Sequence, residues 1–195
     1  MLRWLRWTPL LLMTLPQAAH ACPDHDEKAP PTHTLRSVHR YTLPGVTLTD
    51  QDGKQVSLAQ ALPDDVPVAV NFVFTTCSTI CPVMSATFSG LDQTLGPSSA
   101  VRLVSISIDP ENDRPDVLKA YANRFHAPAR WRFYTGATQD IRSLLTAFEA
   151  YGGDKSNHRP ITLLRGAHGK DWVRIDGFLT AHELAGQLHA LDAHR

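Results

Sequence analysis

The chain has 195 residues, which is enough for one domain with a full hydrophobic core and a targeting segment, but short for two such domains. Its 19 basic and 19 acidic residues balance, so no overall field draws it to nucleic acid or to an anionic membrane surface. Composition therefore favours neither partner and indicates a single domain that carries the chemistry.

Residues 1–21 have the pattern of a signal peptide. Two arginines precede an apolar run that continues to Leu15, and small residues follow up to Ala21, after which we predict cleavage. The apolar run is too short for a comfortable membrane-spanning helix, so we expect a membrane tether only if this segment is retained. The mature chain is expected in the periplasm or otherwise exported, where thiols meet oxidants.

Residues 22–40 mix proline, charge and histidine without apolar periodicity, which predicts a flexible segment. From residue 41 the pattern becomes that of a folded domain. Two short β-like stretches around the Asp-Gly turn at residues 50–53 predict an N-terminal β-hairpin. The almost continuous apolar run at 68–74 predicts a central strand covered on both faces.

An apolar stripe at helical spacing over residues 84–95 predicts a helix, and a second buried strand follows at 101–108. Strand, helix and strand then make a parallel βαβ unit. Downstream, helices are predicted at 117–125, 138–148 and 180–191, a short strand at 131–134, and a pair of strands at 161–164 and 172–175. Thr138 is predicted to cap its helix, and Thr180 with Glu183 to form a capping box. This order predicts an α/β thioredoxin-like sandwich, a central mixed sheet flanked by helices.

Cys77 and Cys81 stand where the central strand turns into a helix N-terminus. Unpaired N–H groups and the positive end of the helix dipole stabilise a thiolate there. If the intervening residues are helical, the four-residue spacing puts both side chains on one face, within reach of a disulfide. The alternative is an inert buried pair or a static disulfide, but such a pair has no reason to occupy a position that activates thiols.

The segment FVFTTCSTICPVMS, which contains both cysteines, resembles the Cys-x-x-x-Cys-Pro signature of the Sco/SenC proteins. These proteins are thioredoxin-like and are associated with copper delivery to cytochrome c oxidase. An Asp-Pro pair with a second aspartate four residues after the first, and a histidine ahead of a late strand, follow in the family's order. The resemblance covers most of residues 41–195.

This resemblance implies that Cys77, Cys81 and His158 are copper ligands, and that Asp109 and Asp113 form an acidic motif near the site. Two thiolates and an imidazole suit Cu(I), which accepts three ligands, whereas zinc usually recruits a fourth. Asp113 can instead cap the following helix, a role we expect in any case. Asp109 can lie beside the thiols and tune proton or copper transfer.

The N-terminal segment leaves two alternatives open. Cys22 with His25, His33 and His39 can form a second, transient copper site, or these residues can belong to a solvated linker. The cysteine count of three favours one functional pair with Cys22 outside it.

Three functions fit the residues Cys77, Cys81 and His158. The first is a copper metallochaperone that serves the copper-site subunit of cytochrome c oxidase or another periplasmic acceptor. The second is a thiol:disulfide reductase acting on the acceptor's cysteines, and the third is a redox or copper sensor. Whether the chain is an enzyme is left open. His158 separates the first two, because metal binding needs the imidazole and disulfide exchange needs only two thiols.

Overall fold

The computed structural model describes residues 34–193, and in this part of the chain eight strands form one mixed sheet. The strands are β1 Leu35–His39, β2 Thr47–Asp50, β3 Gln55–Ser57, β4 Val68–Val73, β5 Arg102–Ser107, β6 Trp131–Gly136, β7 Ile161–Arg165 and β8 Trp172–Asp176. Their order in the sheet is β1-β8-β7-β4-β5-β6-β2-β3. Neighbours among β4, β5 and β6 are parallel, and the other pairs are antiparallel.

The helices are α1 Leu58–Ala61, α2 Ile80–Leu95, α3 Pro115–Arg124, α4 Thr138–Ala147 and α5 Ala181–Ala193. One apolar core packs α1 and α4 on one face of the sheet, and a second packs α2, α3 and α5 on the other. Every side chain of β4 is buried, as its continuous apolar run predicts for a strand covered on both faces. The predicted thioredoxin-like sandwich is confirmed. None of the helices in the described part is long and apolar enough to cross a membrane.

Strand direction brings the sites of interest to one end of the sheet. The central strand β4 runs toward Cys77, and β7 runs antiparallel to it with Asn71 opposite Thr162. The start of β7, which His158 precedes, therefore lies at the same sheet end as the cysteine turn. β1 also begins at this end, because Leu35 pairs with Asp176 of β8.

The prediction of a flexible segment through residue 40 is wrong for Leu35–His39, which form β1. Its side chains are mostly exposed, so no apolar pattern marks the strand, and backbone pairing with β8 holds it. His39 bonds Ser37 and lies 3.4 Å from the Glu149 carboxylate. The predicted signal peptide and residues 22–33, with Cys22, lie outside the described residues.

Of the three local predictions of turns and helix caps, two are confirmed and one is wrong. The N-terminal hairpin is confirmed by the antiparallel pairing of β2 with β3. The capping box is confirmed as well, since the Thr180 N–H donates to Glu183 at 2.8 Å and the Glu183 N–H donates back at 3.3 Å. Thr138 is not the N-cap of α4, because the helix already includes it and Ala137 holds the cap position without a side-chain bond.

Candidate metal and thiol site

Cys77 and Cys81 lie in the turn that joins β4 to α2. The strand ends at Val73 and the helix begins at Ile80, so Cys77 precedes the helix and Cys81 stands in its first turn. The helical geometry that would put both thiols on one face does not extend over Ser78 and Thr79, which precede the helix. A bend at Ser78 and Thr79 brings the thiols together instead, after a turn that the Cys77 N–H closes by donating to the Phe74 carbonyl at 3.1 Å.

The Cys77 sulfur acts as a capping group for α2. It accepts the Cys81 backbone N–H at 3.4 Å, one of the N–H groups at a helix start that lack a partner within the helix. Burial raises the pKa of Cys77, but hydrogen bonds from Cys81 and Thr79 outweigh burial and place the pKa below its ordinary value of 9.0. Cys77 is free and half-buried, so the thiolate-prone sulfur is the one that a partner can reach.

Cys81 has the opposite character. It is fully buried, and desolvation raises the pKa of its thiol well above the ordinary value, with Cys77 and the negative charge of Asp113 adding to the effect. At neutral pH the pair therefore holds one activated sulfur and one protonated sulfur. Both thiols are free in this structure, and the reversible disulfide between them stays a prediction.

Asp113 is fully buried beneath the cysteine turn. Its carboxylate accepts the Thr75 N–H at 3.2 Å, the Thr75 hydroxyl at 2.5 Å and the Ser107 hydroxyl at 2.6 Å. The prediction that Asp113 caps α3 is wrong, because Arg114 holds the N-cap position. Since Thr75 stands two residues before Cys77, Asp113 instead fixes the base of the turn.

Asp109 lies on the loop between β5 and α3 and is buried. Among the described residues its carboxylate accepts from the Asn112 amide at 2.9 Å and from the Lys155 ammonium at 2.6 Å. Its bonds thus lead to the loop that carries His158. The idea that Asp109 tunes proton or copper transfer stays a prediction.

His158 follows a short 3₁₀ turn, Lys155–Asn157, and precedes β7. Its Nε2 lies 3.1 Å from the Phe72 carbonyl, which can only accept, so Nε2 carries the proton and Nδ1 keeps a lone pair. Burial lowers the pKa of the imidazole below 6.5, so the ring is neutral at pH 7. A neutral ring whose N–H is held by a backbone carbonyl is the usual state of a metal-binding histidine.

The imidazole and the buried thiol occupy neighbouring positions at the end of β4. The Val73 carbonyl accepts from Ile108 on the β5 side, so the carbonyl of Phe72 faces the opposite side, toward β7. There the Phe72 carbonyl accepts from His158, whose ring also lies edge-on to Phe74, a residue that packs against the cluster containing the buried cysteine.

The structure thus joins Cys77 with Cys81 and places His158 beside them without forming a complete three-ligand group. In the described part of the chain, no three His, Cys, Asp or Glu side chains stand close enough together to hold a metal ion. Two thiols and a lone-pair imidazole nevertheless match the donor set that copper prefers. The residues present fit copper as a cargo.

Several supporting residues were not found from the sequence. Thr75, Ser107 and Lys155 act through contacts between distant elements, which no local pattern marks. Ser85, one helical turn after the buried cysteine, forms a buried bond of 3.0 Å with the Tyr121 hydroxyl. For this bond the sequence offered one local indication, the position of Tyr121 on the apolar stripe of its helix, which predicts that the side chain is buried.

Fold and site together define a thioredoxin-like protein with a dithiol at a helix N-terminus and a histidine on the adjoining loop. The SCO1/SenC family model matches residues 40–190. The chain belongs to the SCO1/SenC family. A SCO1 protein homolog of Bacillus subtilis is 38% identical over 139 residues, which make up 67% of this chain and 71% of that protein.

Solved structures agree with this assignment. BsSco, described as a member of the Sco family of cytochrome c oxidase assembly proteins with a disulfide switch, is 27% identical with a TM-score of 0.68. That likeness covers 83% of this chain and 99% of BsSco. ScoI of Arabidopsis thaliana, solved with copper bound, is 21% identical with a TM-score of 0.65, over 78% of this chain and 98% of that one, and shares the fold.

Proposed function

We propose that the protein is an exported copper metallochaperone that binds copper through Cys77, Cys81 and His158. The observation that carries the proposal is a neutral imidazole with a lone pair on Nδ1, edge-on to Phe74 at the end of the strand that leads to a reduced thiol pair. Soft thiolates with an imidazole favour Cu(I) and can also hold Cu(II). The acceptor is the copper-site subunit of cytochrome c oxidase or another periplasmic protein, as membership of the family suggests.

The two thiols have different parts in copper binding. Cys77 is half-buried and has the lowered pKa, so it makes the first contact with the incoming ion. Cys81 must give up its proton as it becomes a ligand, and copper uptake therefore releases protons. With three protein ligands at the end of a strand, the site can release its ion by ligand exchange with an acceptor's thiols.

A second function, thiol:disulfide reductase, is favoured by the unequal pKa values of the pair. The Cys77 thiolate would attack an acceptor's disulfide, forming a mixed disulfide and releasing one acceptor thiolate. Cys81, after losing its proton to water, would attack the Cys77 sulfur and release the second acceptor thiolate. The dithiol is oxidised to a disulfide while the acceptor's disulfide is reduced to a dithiol.

One pair of variants separates the two functions. In His158→Ala we expect copper affinity to fall by more than the 10- to 100-fold that loss of an outer-shell partner costs, while the thiols keep reducing a disulfide substrate at a near wild-type rate. Cys81→Ser should lose both activities. Copper affinity is measured by competition with a chelator, and oxidase activity in a deletion strain that expresses each variant. Normal oxidase activity with His158→Ala would reject the chaperone and favour the reductase.

The export that this proposal requires rests on the sequence of residues 1–21. Retention of that segment would tether the protein to the membrane, whereas cleavage after Ala21 would release it into the periplasm. N-terminal sequencing of the protein recovered from the membrane and from the periplasmic fraction distinguishes the two fates.

A further inference from the structure

We infer that Lys155 and Asp109 are positioning residues, which hold the imidazole of His158 beside the thiol pair. The inference rests on the proposed function, because it concerns one ligand of the proposed copper site. Lys155 and His158 belong to the segment of residues 151–159, named the His158 loop below. Asp109 belongs to the body of the domain, on the loop between β5 and α3.

The His158 loop has few attachments to the body. Among the hydrogen bonds of the described residues, two join them: Lys155 Nζ to Asp109 Oδ2 at 2.6 Å, and His158 Nε2 to the Phe72 carbonyl at 3.1 Å. The others lie within the loop and give it its shape, for example Ser156 to the Asp154 carboxylate at 2.7 Å. The lysine is thus the one side chain besides the histidine that hydrogen-bonds the loop to the body within the described part.

Lys155 and His158 also both contact the aromatic ring of Phe74. The ammonium lies 5.8 Å from the centroid of the Phe74 ring, and the imidazole centroid lies 6.0 Å from the same centroid, edge-on at 77°. Phe74 also packs against the apolar cluster that contains Cys81. The ion pair, the ring and the imidazole are therefore contiguous with the cluster that holds the buried thiol.

Asp109 is a fixed partner for the lysine. Its side chain is 9% exposed, and its Oδ1 already accepts the Asn112 amide at 2.9 Å, so the carboxylate is oriented by the body. Without Lys155 this nearly buried carboxylate would lose its cationic partner, a costly change. This distinguishes the pair from two mobile side chains that meet at the surface.

The loop needs this ion pair as an attachment to the body because its first residues include two glycines. Gly152 and Gly153 follow its first residue, and Gly153 has φ +79, a conformation that glycine adopts without strain. If the ion pair is broken, the imidazole samples more positions, and copper binding must then order the loop. Copper affinity should fall, while the thiols keep their own contacts.

The test compares Lys155→Met with His158→Ala by Cu(II) competition titration and by electron paramagnetic resonance, which detects nitrogen coupling from the imidazole. Loss of an outer-shell partner typically costs 10- to 100-fold in metal affinity, so we expect about tenfold weaker binding and a weakened, heterogeneous nitrogen signal in Lys155→Met. Lys155→Arg should bind like the wild type. Lys119→Met is the matched control, because Lys119 pairs with Asp52 away from the loop at 3.1 Å.

A double variant separates positioning from a general structural effect. In the His158→Ala background, adding Lys155→Met should cause no further loss of copper affinity, because the lysine acts through the imidazole. A second tenfold loss there, or wild-type binding and spectrum in Lys155→Met alone, would overturn the inference and leave the proposed function intact. Wild-type binding and an unchanged nitrogen signal in His158→Ala would instead reject the proposed ligand set.

Discussion

At the scale of single residues, the thiol pair is unequal because its two sulfurs have different surroundings. Cys77 receives hydrogen bonds at the start of α2 and is half-buried, whereas Cys81 is enclosed in the core beside a buried carboxylate. Thiolate is the reactive form of cysteine, so this difference sets the order in which the two sulfurs react.

We predict that iodoacetamide labels Cys77 at least about tenfold faster than Cys81 in the reduced, folded protein at pH 8, since one pKa unit changes the thiolate fraction about tenfold at pH values below the pKa. Peptide mapping by mass spectrometry after short labelling times measures the two rates. The unfolded protein is the control, in which both cysteines should react alike. Equal rates in the folded state would contradict the assigned asymmetry.

How far the sequence predicts the site depends on whether a residue carries a local signal. The two cysteines carry such a local signal, because they stand four residues apart directly after a buried strand. His158 was found through the family resemblance. Lys155 and the true role of Asp113 could not be found this way. Asp113 stands near a helix start, where aspartate is a common cap, but its carboxylate bonds Thr75, which is 38 residues away in the sequence.

At the scale of elements, apolar patterns in the sequence predicted those helices and strands that are held by packing in the core. β4 and α2 were found because their buried residues are continuous or helically spaced. β1 was missed because it is a sheet edge whose residues face solvent and whose stability comes from pairing with β8. The cap of α4 was misplaced because any nearby threonine resembles a cap in sequence, and only backbone geometry selects one.

The hairpin of β2 and β3 has its own polar support at Asp50. Its Oδ1 accepts the N–H groups of Asp52 and Lys54, both at 2.9 Å, and its Oδ2 accepts Arg132 of β6 at 2.6 Å. Burial raises the pKa of Asp50, but the bonds from Lys54, Arg132 and Asp52 outweigh it and place the pKa below 3.8.

We predict that Asp50→Asn lowers the free energy of unfolding by about 1–3 kcal/mol at pH 7, because the amide keeps the turn bonds but leaves Arg132 without its buried partner. A lowered carboxyl pKa contributes stability that is present above pH 3.8 and is lost as pH falls through the folded-state pKa. In urea unfolding, the difference in the free energy of unfolding between wild type and variant should therefore become smaller as the pH falls into the acid range.

The control for this prediction is Asp171→Asn, which removes an exposed carboxylate paired with Arg40 and should change stability little. A gap that stays constant from pH 7 into the acid range would show that Asp50 contributes through shape and not through charge.

At the scale of the whole molecule, copper should stabilise the folded chain by mass action. At a free copper concentration of about 100 Kd the gain is about 2.7 kcal/mol, which for a domain of this size raises Tm by roughly 5–10 °C. Calorimetry of the reduced protein with and without Cu(I) measures the shift. Cys22→Ser should keep it and Cys81→Ser should lose it; an equal shift in Cys81→Ser would place the copper elsewhere.

The direction of β1 has a practical consequence for handling the protein. Leu35 lies at the sheet end that carries the cysteine turn, whereas α5 runs away from that end, and its Leu191 lies against Gly166 just beyond the far end of β7. A tag, dye or surface linkage placed at residue 34 would therefore start from the same sheet end as the thiols, three strands away from β4. An attachment after α5 starts from the opposite end, and this is the orientation to choose for immobilised transfer assays.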